Sequence, residues 1–303
     1  MNNCTPISTL FSFNSELPAN FQKNNFLDFH KRDSLMIAER IHENTLEKGF
    51  IWKNHPVCLT LTFHPQHINA TVAIDGYHQE AADLEIFKGL VHRMLGLHQP
   101  IETFELLYSN HPLLGPLIAN NAGLRVPLTA TPFEALTWAI TGQQISVHAA
   151  VSIRRKLIQR TGLQHANGLW CYPSAHQLIS FSEDEFRQLG YSLTKARTLL
   201  ALSHSIEHKH LKLEEEINDQ SVEKIRAQLL TIKGIGPWTI NYALLRGFGW
   251  LDGSLHGDAA IRRHLQTLLG SDEKISEEQA KQWLAEFSPW RALVAAHVWA
   301  MPK

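Results

Sequence analysis

The sequence predicts an α+β fold, a small antiparallel-sheet lobe followed by a mostly helical region, and two changes of pattern carry that reading. Residues 56–63, PVCLTLTF, alternate apolar Val57, Leu59, Leu61 and Phe63 with Cys58, Thr60 and Thr62, the period of a half-buried strand. A second alternation, Ile68, Ala70, Val72 and Ile74, ends at the turn pair Asp75-Gly76. From Glu80 the period changes, and Ala82, Leu84, Ile86, Phe87, Leu90, Val91, Met94 and Leu95 fit one face of a helix. We therefore divide the chain into an α+β lobe, 1–98, and a helical region, 99–303.

Within the first part, Asp33 is suited to cap a short helix through about Arg40, and the segment to Trp52 reads as extended with a turn near Lys48-Gly49. Beyond it, Gly, Pro and capping residues bound helices near 101–109, 132–140, 146–161, 175–180, 183–189, 194–207, 221–231, 238–247, 258–268, 276–286 and 290–300.

Bulk properties narrow the function classes. At 303 residues the length favours two domains, and 44% hydrophobic with 19% charged residues is ordinary globular composition. No stretch approaches the roughly 20 apolar residues of a membrane span. The N-terminus has neither a basic start nor a continuous apolar run, so a soluble, cytoplasmic protein is expected. Cys4, Cys58 and Cys171 lie far apart with no CxxC pair, which argues against a disulfide framework, a zinc site or an iron–sulfur cluster. The 18 histidines form no cluster with metal-ligand spacing. A net charge of −1 does not announce a polyanion partner, so a nucleic-acid reading has to rest on local features.

The informative stretch is 221–268, in which Lys233-Gly234-Ile235-Gly236-Pro237 joins two helices as a hairpin over 221–247. Gly234 and Gly236 permit positive φ and close backbone approach, and Pro237 suits the first turn of the second helix. Unpaired amides at a helix N-terminus make a phosphate site that needs no net positive charge and reads no sequence. A Gly-rich connector between core helices is the plainer account of such a loop taken alone.

Further blocks accompany it: FEALTWAITGQQISVHAA at 133–150, LGYSLTKARTLLALS at 189–203 and SPWRALVAAHVWA at 288–300. Together with an interval of 20 residues from Trp238 to Asp258, these resemble the helix-hairpin-helix, Gly/Pro-rich and aspartate superfamily of DNA glycosylases, of the bacterial 3-methyladenine DNA glycosylase II type. The resemblance spans at least 132–303 and more loosely the first lobe. It implies base excision repair: hydrolysis of the N-glycosidic bond of alkylated purines in double-stranded DNA after the base is rotated out of the helix.

In that reading Asp258 is the catalytic carboxylate, stabilising positive charge on the sugar as the base departs. It precedes AAIRRHL, so a helix N-terminus favours its ionised form, and an N-cap role is compatible with catalysis. Asp252, six residues early, is the rival carboxylate. Trp238 and Tyr242 share a helix face and, with Trp299, would line the base pocket, electron-rich rings suited to a cationic purine. Trp250, Trp283 and Trp290 are expected in the core.

Trp238 also stands where related enzymes with strand-cleaving lyase activity carry lysine, so water is the expected nucleophile and the enzyme monofunctional. Gln144, in GQQIS, stands where the best-known members insert a leucine wedge. Lys233, Gly234, Ile235, Gly236 and Gln144 are the expected DNA contacts. Arg154, Arg155, Lys156, Lys195, Arg197, Arg246, Arg262 and Arg263 are further basic residues able to meet phosphates or simply to solvate helix faces. Backbone carbonyls of Leu230, Ile232 and Ile235 could hold a monovalent cation, Na+ or K+; no other cofactor is expected. A monomer suffices. The readings left open are a non-catalytic hairpin module that binds distorted duplex, and a glycosylase for oxidised or mismatched bases.

Overall fold

The computed structural model describes residues 8–213 and 217–302, so Cys4 lies outside the described residues. Strands β1 (Ser8–Glu16), β2 (Glu39–His42), β3 (Thr45–Trp52), β4 (His55–Phe63) and β5 (His67–Asp75) form one antiparallel sheet in the order β1-β5-β4-β3-β2. The two predicted alternations are β4 and β5, paired from Val57 with Ile74 to Phe63 with Ile68. Their apolar face, Val57, Leu59, Leu61, Ile68, Val72 and Ile74, is fully buried against Phe87, Val91 and Met94 of α2 (Asp83–Leu95). Period 2 meeting period 3.6 across one core is the physical content of the α+β prediction.

Two expectations for this region fail. Asp33 caps no helix: its Oδ1 accepts the Leu35 amide at 3.0 Å in a turn, its carboxylate pairs with Arg155, and the chain then enters β2. No turn occurs at Lys48-Gly49 either; β3 runs through it, and the reversal lies at Glu43-Asn44. Gly49 is needed for close approach rather than turning, because a Cβ there would stand 2.1 Å from the Trp170 carbonyl oxygen, while its own carbonyl accepts the Tyr172 amide at 2.9 Å. α1 (Lys23–His30), which connects β1 to β2, spans two turns with Phe26, Leu27 and Phe29 as its apolar residues, too short a run to give a periodic signal.

The helical region comprises α3 (Ile101–Tyr108), α4 (Leu114–Asn120), α5 (Pro132–Gly142), α6 (Val147–Thr161), α7 (Ala175–Leu178), α8 (Glu183–Gln188), α9 (Leu193–Glu207), α10 (Asp219–Leu230), α11 (Pro237–Ala243), α12 (Ala259–Leu268), α13 (Glu277–Ala285) and α14 (Arg291–Trp299). The predicted helices agree within a few residues because their caps were readable. Thr131, Ser146 and Ser192 accept the amides of Glu134, Ala149 and Lys195, opening α5, α6 and α9. α4 was hidden by its Gly115-Pro116 pair, which reads as a turn but is tolerated in a first helical turn. After α11 the backbone continues as a π turn, Leu244–Phe248, ending at Gly249 in the left-handed region.

Two helical cores result. One gathers α3, α4 and α12 to α14 around Phe104, Leu265, Leu284 and Phe287; the other gathers α6 to α10 around Leu157, Phe186, Leu199 and Leu229. α5 and α11 serve both: Ala139 and Tyr242 pack in the first, Leu136, Ile140, Ile240 and Ala243 in the second. Trp290 is buried in the first core, with Trp283 packed against it, and Trp250 packs against the second, as expected.

A buried charge quartet clamps the sheet to the helices. Lys48 Nζ donates to Glu39 and Glu134 at 2.7 and 2.8 Å, and Arg154 Nη2 to the same two carboxylates at 2.7 and 2.9 Å. Burial alone pushes the Glu39 carboxyl up, but Arg154 and Lys48 hold it well below the usual range; the same pairs keep Arg154 charged. Two charges of each sign close the account locally, as burial demands.

Candidate active site

Asp258 is the N-cap of α12, and Oδ1 of its carboxylate accepts the Ala260 and Ile261 amides at 2.9 and 3.1 Å. The capping role is therefore present, as the sequence allowed. Two indoles hold the same carboxylate from other elements: Trp299 Nε1 of α14 donates to Oδ1 at 3.2 Å, and Trp238 Nε1 of α11 donates to Oδ2 at 3.1 Å. All four donors are neutral, and no cation among the described residues forms an ion pair with it. Oδ2 has a single donor, so lone-pair capacity remains for a positively charged neighbour.

Two of the three predicted pocket aromatics thus meet at this carboxylate, and the third reaches it through a neighbour. Trp238 stacks on Tyr242 with centroids 5.4 Å apart and planes inclined by 29°, the i, i+4 pair the spacing implied. Asp252 is elsewhere. It forms a two-point pair with Arg291, at 2.7 and 2.8 Å, and accepts from Ser288, so its charge is spent on the start of α14.

The sequence reading missed the opposite wall. Phe29 of α1, Arg32 just beyond it, Trp138 of α5 and Arg246 of the π turn converge on the same aromatics. Arg32 Nη1 donates to the Tyr242 hydroxyl at 3.4 Å. Nothing local marks these residues, since they meet only when the sheet lobe docks on the helices. Behind them, a cavity of about 40 Å³ is lined by His30, Arg32, Glu134 and Trp138 among others. A larger cavity, about 1060 Å³, lies elsewhere, between the sheet and α2, α7 and α9; Asp258 does not line it.

The hairpin between α10 and α11 is braced from behind. Thr198 Oγ1 donates to the Lys233 carbonyl at 2.8 Å, and Gln143 Nε2 donates to the Gly234 carbonyl at 3.0 Å and to Thr239 Oγ1 at 2.9 Å. Carbonyls face inward, while the amides of Gly234 and Gly236 have no acceptor among the described residues. The two glycines differ from expectation. Gly234 has φ +97° and a Cβ there would meet Thr198 Oγ1 at 2.1 Å, whereas Gly236 has φ −110° with open space around it. Only Gly234 needs to be glycine for backbone reasons; Gly236 leaves its amide uncovered. Lys233 is exposed, and Ile235 is buried in the core beneath the loop.

Gln144 is exposed at φ +57°, flanked by exposed Ile145 and Val147. Lys195 fixes this turn from inside, donating to the Thr141 and Gln143 carbonyls at 2.8 and 2.7 Å; burial lowers its pKa. Lys195 therefore does not face phosphate. Nor do Arg154, in the quartet, or Arg155, paired with Asp33, while Arg197 pairs with Glu183. Arg246 donates to the Pro127 carbonyl at 3.0 Å and lies over the rings of Phe29 and Trp299. Arg262 donates to the Gly257 carbonyl, leaving Lys156 and Arg263 exposed.

No helix among the described residues is long and apolar enough to cross a membrane, and no three His, Cys, Asp or Glu side chains among them come together as a metal-ligand set. The hairpin's oxygen donors are main-chain carbonyls; that of Ile232 accepts the Ile235 amide at 3.1 Å and retains a second lone pair.

Several known proteins are similar to this chain in sequence and fold. The chain is 27% identical over 82% of its length to the "Probable bifunctional transcriptional activator/DNA repair enzyme AlkA" of Mycobacterium tuberculosis, covering 48% of that protein. It therefore spans about half the length of these mycobacterial relatives. It is 29% identical to "DNA-3-methyladenine glycosylase 2" of Escherichia coli, over 61% of this chain and 63% of that one. The fold matches a 3-methyladenine DNA-glycosylase structure from Archaeoglobus fulgidus with a TM-score of 0.78, covering 95% and 97% of the two chains at 21% identity. Residues 137–289, which hold the Gln143-Gln144 turn, the hairpin and Asp258, match the family described as HhH-GPD superfamily base excision DNA repair protein, and the chain belongs to that family.

Proposed function

We propose that this chain is an N-glycosylase of base excision repair that hydrolyses the N-glycosidic bond of alkylated purines, of the 3-methyladenine and 7-methylguanine type, in double-stranded DNA. One observation carries the reading: Asp258 is held by two indoles and two amides, with no ion-paired cation among the described residues, beside the stacked rings of Trp238 and Tyr242. A carboxylate oriented by neutral donors keeps its charge for a transition state in which the sugar becomes positive.

The roles then follow. Trp238, Tyr242 and Trp299 receive the extruded base, and Asp258 faces the anomeric carbon. Amides around Lys233, Gly234, Ile235 and Gly236 grip a phosphate, with Lys233 adding charge, while exposed Gln144 fills the gap left in the duplex and hydrogen-bonds the orphaned base. Trp238 stands in the lyase-lysine position, so water completes the reaction and no strand-cleaving activity accompanies it. The carbonyls of Leu230, Ile232 and Ile235 would hold Na+ or K+, bridging loop and phosphate. A cytoplasmic monomer suffices for these steps.

The test is release of free base from methylated duplex DNA. Release well above spontaneous depurination supports the proposal. Tight duplex binding with no release would favour a non-catalytic hairpin module instead.

A further inference from the structure

Two guanidinium groups lie over the rings of the opposite wall and over Trp299. The Arg32 guanidinium lies 4.5 Å from the Phe29 ring centroid and 5.3 Å from that of Trp138, and that of Arg246 lies 4.7 Å from Phe29 and 5.7 Å from Trp299. Arg246 is anchored on the Pro127 carbonyl; burial lowers its pKa to about 10, so it remains charged at neutral pH. Arg32 is different. It is exposed, it has no carboxylate partner among the described residues, and the acid beside it, Asp33, is spent on Arg155. Its one hydrogen bond is to Tyr242, the ring stacked on Trp238, whose indole in turn holds Asp258.

A base entering beside Asp258 therefore meets a guanidinium free to donate. For a purine already cationic from alkylation, that charge is a like charge and gives no assistance. For an uncharged purine it is useful. When the C1′–N9 bond breaks, both bonding electrons leave with the base and spread towards its N7 and O6 atoms. A planar fork of donors there stabilises the departing anion. Water adds its oxygen to C1′ and releases a proton, and the purine anion takes up one from solvent, so the sum is addition of one water.

We propose that Arg32 is a specificity-determining residue of this site, donating to the acceptor edge of an uncharged purine lesion and so extending excision beyond the cationic purines that the rings of Trp238, Tyr242 and Trp299 receive. The inference rests on the glycosylase reading above.

Single-turnover excision from two duplexes, one with a single hypoxanthine and one with a single 7-methylguanine, tests it in the wild type, Arg32→Gln and Arg32→Lys. Both rates come from one preparation, so any loss of folded protein cancels in their ratio. The hypoxanthine-to-methylguanine ratio should fall about tenfold or more in Arg32→Gln, which keeps donors but loses charge, and recover in part in Arg32→Lys. An unchanged or rising ratio in Arg32→Gln, or wild-type release of methylguanine alone, overturns the role of Arg32 while leaving the glycosylase reading intact. Release of neither base by the wild type overturns both.

Discussion

Two sets of carboxylates in this molecule are withdrawn from water in opposite ways. Glu39 and Glu134 are buried and answered charge for charge by Lys48 and Arg154, whereas Asp258 is half-buried and, among the described residues, answered by neutral N–H donors alone. The first arrangement consumes its charge in joining sheet to helices. The second fixes the direction of a charge without cancelling it, which suits a group that must meet a transient cation. Ion pairing marks the scaffold here, and its absence marks the site.

The comparison breaks most readily at the quartet. Lys48→Met leaves two buried carboxylates facing one cation and should cost about 3–5 kcal/mol of stability, read by urea unfolding. Asp258→Asn should cost less than about 1 kcal/mol in the same assay, because asparagine caps helices as well as aspartate. Equal losses would mean that the two sets are not distinct in kind.

Much of this was legible beforehand, for particular reasons. The hairpin was legible in its Gly and Pro residues and Asp258 through the family resemblance of the stretch that holds both, and the caps of α5, α6 and α9 announce themselves by residue type. The Phe29, Arg32, Trp138 and Arg246 wall was invisible because residues some 100 to 200 positions apart meet only through lobe docking. Arg154 looked like surface charge because periodicity cannot tell a helical arginine that meets water from one that meets buried glutamates. Lys48-Gly49 looked like a turn for a similar reason: glycine signals both reversal and close approach, and only the Trp170 backbone distinguishes them.

The hairpin sharpens the contrast at smaller scale. Gly234→Ala must strain a left-handed residue and push against Thr198, so it should lower stability by about 1–3 kcal/mol as well as duplex affinity. Gly236→Ala, in open space, should leave the melting temperature nearly unchanged and lower affinity alone. Parallel unfolding and fluorescence-anisotropy titrations separate the two. Identical behaviour would remove the distinction drawn between these glycines.

An effect confined to acid pH comes from His297, fully buried on α14, where burial lowers its pKa to about 4. Below the ordinary histidine value of about 6.5 the unfolded chain binds a proton that the folded chain refuses, so stability falls as pH drops from about 6.5 to 4. The slope from this residue approaches about 1.4 kcal/mol per pH unit in that window. His297→Leu should flatten it in urea titrations across the range. His30, also buried with a lowered pKa, retains a slope of the same sign.

The central claim concerns the uncompensated charge of Asp258, and single-turnover excision from a duplex bearing one 7-methylguanine measures it directly when paired with affinity for the same duplex. Asp258→Asn should slow base release by roughly 100-fold or more while binding stays within a few-fold of wild type. Release at an undiminished rate by that variant would contradict the account.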